Sequence, residues 1–187
     1  MKKCILKNEE VYVNDINFEK LMIIYSIALE KVKLLLVSLK EQINEKSEYD
    51  VIEKVVSRIK EPNSILDKMI KKGYSLTYKT LIEKINDIAG ARIICNSEED
   101  VYKIVGEIKR LENIRILKSK DYIKNPKESG YSAYHIVVEV PIFRETQIVW
   151  VKVEVQIRTL TMDYWANIEH DISYKRNKKS IKKRLEV

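Results

Sequence analysis

A chain of 187 residues, 45% hydrophobic and 34% charged with only four Gly and three Pro, has the length and apolar content for one domain with a real core; it is not the composition of a disordered or fibrous protein. Its formal charge of +7, from 35 basic and 28 acidic residues, predicts an anionic partner, a nucleotide or a nucleic acid. No apolar run reaches the roughly 18 to 20 residues of a membrane span and the first six residues lack a signal peptide's apolar core, so no membrane partner and a cytoplasmic location are expected.

Two Cys and two His leave no zinc site of standard spacing. Any metal must be held by oxygen ligands, which points to magnesium and phosphates.

From Asp15, read as an N-cap, apolar residues recur by threes and fours at Leu21, Ile24, Ala28, Val32, Leu35, Leu39 and Ile43, and predict a long amphipathic helix. A second stripe at Met22, Tyr25, Leu29 and Leu36 widens the apolar arc enough to pack on two sides, one of which a subunit contact would supply. A strand is expected over Val51 to Lys60. It sets Arg58 and Lys60 on one face at its end, as a rigid phosphate grip or as two exposed edge charges. Pro62 closes it, Asn63 or Ser64 caps a short helix that brings in Lys68 and stops at Gly73, and Tyr78 to Asn86 forms another. Asp87 then enters a tight turn at Gly90, as a turn-stabilising residue or with a role of its own, and Arg92 opens a strand ending at Cys95, a buried core thiol.

Ser97 with Asp100 three residues on reads as a capping box, opening a helix to about Glu112. Ile114 to Leu117 is the third strand. The loop after it, KSKDYIKNPKESGYSAYH, gathers Lys118, Lys120, Lys124 and Lys127 around Tyr122 and Tyr131. Phosphates need charge and a base needs a flat face, so cations interleaved with aromatics suit a nucleotide. A fourth strand, Ala133 to Val140, carries His135 on the face of Val137 and Glu139, either as a site residue or as a satisfied structural one. A hairpin through Pro141 to Gln147 returns the chain to IVWVKVEVQIR, Ile148 to Arg158. Its period of two buries Val149, Val151, Val153, Val155 and Ile157 and aligns Trp150, Lys152, Glu154, Gln156 and Arg158 on the other face. That polar row is a wet sheet face or a site; the helix after it, about Leu160 to Tyr174 and rich in Trp, Asn, Glu and His, favours the site.

The sum is an α+β fold with a mixed sheet of about five strands flanked by helices. A helical arm over 1–48 precedes a main domain over 49–175, and a basic tail over 176–187 is either an RNA- or membrane-directed patch or merely solvated.

RIKEPNSILDK, DIAGARI, KDYIKNPKESGY followed by YH, VEVQIRT and MDYWANIEHDISYK stand in this order between Tyr49 and Lys175. Together they resemble the synthetase domain of the RelA/SpoT family, most closely its small single-domain alarmone synthetases. The resemblance implies a nucleotidyltransferase-like synthetase fold and transfer of the β,γ-pyrophosphate of ATP to the 3′-hydroxyl of GDP or GTP, giving ppGpp or pppGpp in stringent-response signalling. It implies that Arg58 and Arg92 sandwich the adenine, that Lys60 and Lys68 hold the ATP phosphates, and that Asp87 binds Mg²⁺. Glu154 would lie beside the acceptor hydroxyl as metal ligand, general base or both. Tyr131 would stack on guanine, Lys127 and His135 would meet the acceptor's phosphates, and Gln156 would help position the nucleotides.

Lys120 and Asp163 also fall in the acceptor site by this resemblance, where relatives carry Arg and a guanine-contacting Asn; with Ser132 and Ala133 they are departures that bear on acceptor choice. His170 is read as structural or as a support behind the site residues. The expected protein is a homo-oligomer, a tetramer being one form, and a synthetase without hydrolase activity. Two alternatives stand beside it. One is a toxin-type relative that pyrophosphorylates tRNA 3′ ends or adenine nucleotides, which the basic tail, the high pI and the altered acceptor loop favour; the other is a non-catalytic nucleotide- or RNA-binding module on the same scaffold.

Overall fold

The computed structural model describes residues 17–144 and 146–169, together with the backbone of two N-terminal strands, β1 (Lys2–Leu6) and β2 (Glu9–Val13). His170 and the basic tail lie outside the described residues. β1 and β2 pair antiparallel as a hairpin of their own. The sequence reading holds no strand there, because segments of five residues in which charges adjoin apolar residues carry no period.

The long helix α1 (Phe18–Glu45) begins after Asn17, whose side-chain oxygen accepts from the Lys20 N–H at 3.3 Å, so Asn17 and not Asp15 is the N-cap. Its two apolar stripes merge into one buried face of Leu21, Tyr25, Ala28, Leu29, Val32, Leu36, Leu39 and Ile43. That face packs on β3, β4, β6 and β7, in the same core cluster as the strands. The element expected as an arm is thus a wall of the core. Its outer side leaves Ile23, Ile27 and Leu34 exposed.

The sheet comprises β3 (Ile52–Ile59), β4 (Ala89–Cys95), β5 (Arg115–Asp121), β6 (Tyr134–Arg144) and β7 (Gln147–Thr159), in the order β3-β4-β7-β6-β5. β4 and β7 run parallel and every other neighbouring pair is antiparallel, which makes the sheet mixed and the fold α+β. The remaining helices are α2 (Pro62–Lys71), α3 (Tyr78–Lys84), α4 (Glu98–Lys109) and α5 (residues 160–169). No helix among the described residues is long and apolar enough to cross a membrane.

Several local expectations shift. α2 starts at Pro62 with Glu61 as a cap that makes no side-chain bond, because proline at the first helical position needs no hydrogen-bond acceptor and brings the right φ. It still ends at Gly73, whose φ of 66° suits glycine. Gly90 makes no turn; it lies inside β4, between Arg58 of β3 and Glu154 of β7. β5 continues to Asp121, which moves Lys118 and Lys120 from a loop onto a strand. β6 runs on through Pro141, which pairs with Trp150, and only residues 145 and 146 separate β6 from β7. β5 reaches only as far as Glu139, so Pro141 has no neighbour on that side from which its missing N–H is lost. The capping box of α4 forms as expected, with Ser97 and Asp100 each bonding the other's backbone N–H.

Candidate active site

β7 organises the site. Its apolar row, Val151, Val153, Val155 and Ile157, joins the core with α1 and α4, and its alternate residues face the other way. Strand register then aligns two rows of side chains across that open face. Arg92, Gln156, His135 and Lys120 are successive partners across β4, β7, β6 and β5. Two residues along, Arg58, Gly90, Glu154, Val137 and Lys118 form the second row across all five strands. The bulge between Ile116 and Lys118 keeps the β5 lysines in step with these rows.

Three depressions lie over the rows. One of about 320 Å³ is lined by Arg58, Asp87, Arg92, Glu154, Gln156 and Asn167. A second of the same size carries on from Arg58 and Arg92 to Tyr131 and Arg158. The third, of about 130 Å³, is lined by Asn86, Lys118, Lys120, Tyr122, His135 and Glu154. Glu154 borders the first and the third, so it stands where two ligands would meet.

Glu154 is largely buried, which alone would push its carboxyl pKa up. His135, with Nδ1 3.3 Å from Oε1, and Gln156, whose Nε2 donates to Oε2 at 2.8 Å, more than offset that, and the net shift is downward. The group is therefore an ionised carboxylate at neutral pH. Asp87 follows the same pattern. Burial raises its pKa, but Lys60 at 2.8 Å from Oδ2 and Lys68 at 2.7 Å from Oδ1 outweigh it and leave the pKa lowered. β3 supplies Lys60 just past its end and α2 supplies Lys68, so the grip on Asp87 comes from two elements.

Arg92 is held by Asp163 of α5, with Nη1 at 2.8 Å from Oδ1, and the same oxygen lies 3.4 Å from Arg158 Nη1. Asp163 thus sits against the Arg92 side of the cleft and is absent from the lining of the depression that holds His135 and Lys120. Tyr131 is only 8% exposed. Its hydroxyl is 2.7 Å from His135 Nε2, its ring meets Tyr122 edge-on at 6.1 Å, and the Lys127 ammonium lies 4.5 Å from its centroid. Lys120 bonds the Tyr122 hydroxyl at 3.0 Å. Gly130, at φ 79°, shapes the loop under α5: a Cβ there would stand 3.2 Å from Trp165 Nε1, which donates to the Ser129 carbonyl at 3.3 Å.

The fold brings together Glu154, Asp87, Arg58, Lys60, Lys68, Arg92, Gln156, Tyr131, His135, Lys120, Lys127 and Asp163 as the sequence reading expects of a site. Lys152 leaves it. Its ammonium bonds the Ile82 and Glu83 carbonyls at the end of α3, at 3.0 and 3.1 Å, so the polar row serves two purposes. Trp150 also leaves, stacked on the Arg115 guanidinium at 3.4 Å. Asn86 and Asn167 enter as lining residues without a role assigned by sequence, and Lys118, Tyr122 and Arg158, seen there only as parts of a cationic–aromatic cluster and of the polar row, line it too. For Arg158 the signal was present, in its parity with Glu154. For Asn167 the signal was its place four residues after Asp163, on one side of the final helix.

A family model described as a region found in RelA/SpoT proteins matches residues 57–179. The GTP pyrophosphokinase YwaC of Bacillus subtilis (strain 168) is 40% identical over 156 residues, 83% of this chain and 74% of that protein. The GTP pyrophosphokinase YjbM of the same organism is 35% identical over 163 residues, covering 87% and 76%. Among solved structures, small alarmone synthetase 1 from Bacillus subtilis bound to its product pppGpp aligns with a TM-score of 0.78 at 35% identity, over 84% of this chain and 80% of that one. A GTP pyrophosphokinase family protein from Streptococcus pneumoniae aligns with a TM-score of 0.80, also at 35%, over 92% and 86%. With likeness of this extent in sequence and structure, the chain belongs to the RelA/SpoT family.

Proposed function

We propose that this protein is a (p)ppGpp synthetase, an ATP:GDP/GTP 3′-pyrophosphotransferase. The observation that carries the reading is the position of Glu154, an ionised carboxylate between two depressions whose other walls are cationic: Arg58 and Arg92 on one side, Lys118 and Lys120 on the other. The family membership and the pppGpp complex of the Bacillus subtilis synthetase 1 support the nucleotides named.

A ribose hydroxyl is a poor nucleophile, and Glu154 is suited to accept its proton as the 3′-oxygen attacks the β-phosphorus of ATP. One P–O bond forms at the acceptor, the bond between the α-phosphate oxygen and the β-phosphorus breaks, and AMP leaves. Arg58 and Arg92 are assigned to ATP, its adenine lying between them. Lys60 and Lys68 are assigned to its phosphates, exchanging Asp87 for them. Lys120, Lys127, Tyr131 and His135 are assigned to the acceptor, with Gln156 between the two nucleotides. Asp163, expected at the acceptor, is assigned instead to the ATP side, a reading supported by its bond to Arg92.

Mg²⁺ fits the donor set. Asp87 and Glu154 would offer carboxylate oxygens from one cleft, and among the described residues there is no cluster of three His, Cys, Asp or Glu, so substrate phosphates would complete the shell. One or two carboxylates completed by phosphates is the usual Mg²⁺ arrangement, and the ion would offset phosphate charge. The exposed Ile23, Ile27 and Leu34 on α1 extend the proposal to a homo-oligomer.

Purified protein given labelled ATP, Mg²⁺ and GDP, GTP, AMP or tRNA in turn is expected to label only the guanine nucleotides, seen by thin-layer chromatography. Exclusive labelling of tRNA or AMP would overturn the reading.

A further inference from the structure

Five side chains on the open face of the sheet close into a ring of hydrogen bonds. One way round from Glu154, Oε1 lies 3.3 Å from His135 Nδ1, and His135 Nε2 lies 2.7 Å from the Tyr131 hydroxyl, which accepts from Arg158 Nη2 at 3.2 Å. The other way, Glu154 Oε2 accepts from Gln156 Nε2 at 2.8 Å, and the Gln156 carbonyl oxygen accepts from the same Arg158 nitrogen. Both arms leave the carboxylate and end on one guanidinium, which is 2% exposed.

A guanidinium only donates and a carboxylate only accepts, so the two ends of the ring set the direction of everything between them. On the shorter arm, Gln156 must turn its carbonyl to Arg158, which leaves its amide nitrogen for Glu154. On the longer arm, the Tyr131 oxygen accepts from the Arg158 N–H, and its own O–H donates to His135 Nε2. The reverse arrangement would leave the hydroxyl proton without an acceptor among the described residues. With Nε2 accepting, Nδ1 carries the ring proton and faces Glu154. The guanidinium is itself anchored, since its other terminal nitrogen lies 3.4 Å from Asp163 Oδ1.

We propose that Arg158 is a positioning residue for the reacting carboxylate: through Tyr131 and His135 on one side and Gln156 on the other, it aims one N–H at each oxygen of Glu154 and fixes its plane. A carboxylate has about four lone-pair sites, so two remain for an incoming hydroxyl or a cation. The proposal rests on the reading of Glu154 as the proton acceptor; the direction of the ring does not.

The test begins with ¹⁵N-histidine-labelled, ligand-free protein. The chain has two histidines, and a His170→Gln variant assigns the remaining imidazole to His135. Its nitrogen resonances are expected to show a proton on Nδ1 and none on Nε2. Tyr131→Phe and Arg158→Met are each expected to give a tautomer mixture and to lower kcat by roughly 10- to 100-fold, the range for partners that orient a reacting ligand. In Tyr131→Phe the acceptor KM should stay as in the parent, because the ring is kept. A proton on Nε2 in the parent protein, or a tautomer that neither variant moves, overturns the proposal. If Arg158→Met does not fold, Tyr131→Phe, which loses one oxygen, decides alone. Undiminished turnover in Glu154→Gln would instead sink the reading of Glu154, and the imidazole spectrum tells that failure from a failure of Arg158.

Discussion

Glu154 and Asp87 are both carboxylates kept ionised in partly buried places, but by different means. Glu154 has a neutral amide and an imidazole against it, whereas Asp87 has two ammoniums. Glu154→Gln keeps the shape and removes the proton acceptor, so turnover should fall by at least about 100-fold while the circular dichroism spectrum is retained. Asp87 gives a pH signature. Its folded pKa lies below the ordinary 3.8, so its ion pairs contribute stability that is present above that value and is lost as the pH falls toward the lowered one. In metal-free buffer the stability gap between parent and Asp87→Asn, measured by urea titration, should be widest near neutrality and close with acid. Cys95 offers a third check at this scale. Burial lifts its thiol to about 12, so in a Cys4→Ser background a thiol reagent should label the protein only after unfolding.

Among the elements, α1 shows how far sequence pattern reaches. Its periodicity marked a helix and both apolar stripes, yet periodicity does not say what a stripe packs against, and an appendage and a core wall read alike. The structure predicts that Leu36→Ala, at 2% exposure, costs about 2–5 kcal/mol in denaturant unfolding, as a core residue should. A solvated arm would show almost none. β7 was legible almost to the residue, because strict alternation over so long a run has one reading. Lys152 was not: alternation gives the face of a side chain, and a four-carbon stem decides whether it points at a ligand or at the end of α3. The reach of β5 and the pairing of Pro141 were hidden for a related reason, since where a strand stops depends on its neighbour. Gly130 is the element-scale test of the acceptor loop. Gly130→Ala meets both a positive φ and Trp165, and should cost about 1–2 kcal/mol locally and weaken acceptor binding more than ATP binding in KM measurements.

At the level of the whole molecule, the individual residues of the site were mostly visible in the sequence, but their convergence was not. Asp87 and Glu154 are far apart along the chain, and only the parallel pairing of β4 with β7 makes them neighbours. Their assignment to ATP and acceptor came from likeness to a family, since neither charge nor period distinguishes one nucleotide from another. That same pairing divides the sheet. Apart from Asp163 of α5, everything assigned to ATP, Arg58, Lys60, Lys68, Asp87 and Arg92, precedes residue 96, and Lys120, Lys127, Tyr131 and His135 follow residue 114. The β4–β7 seam is therefore a border in chain order, which the fold bridges where Tyr131 shares a depression with Arg58 and Arg92. On this assignment, grafting residues 115–144 from a relative would exchange the acceptor's contacts while leaving Arg58, Lys60, Lys68, Asp87 and Arg92 as they are.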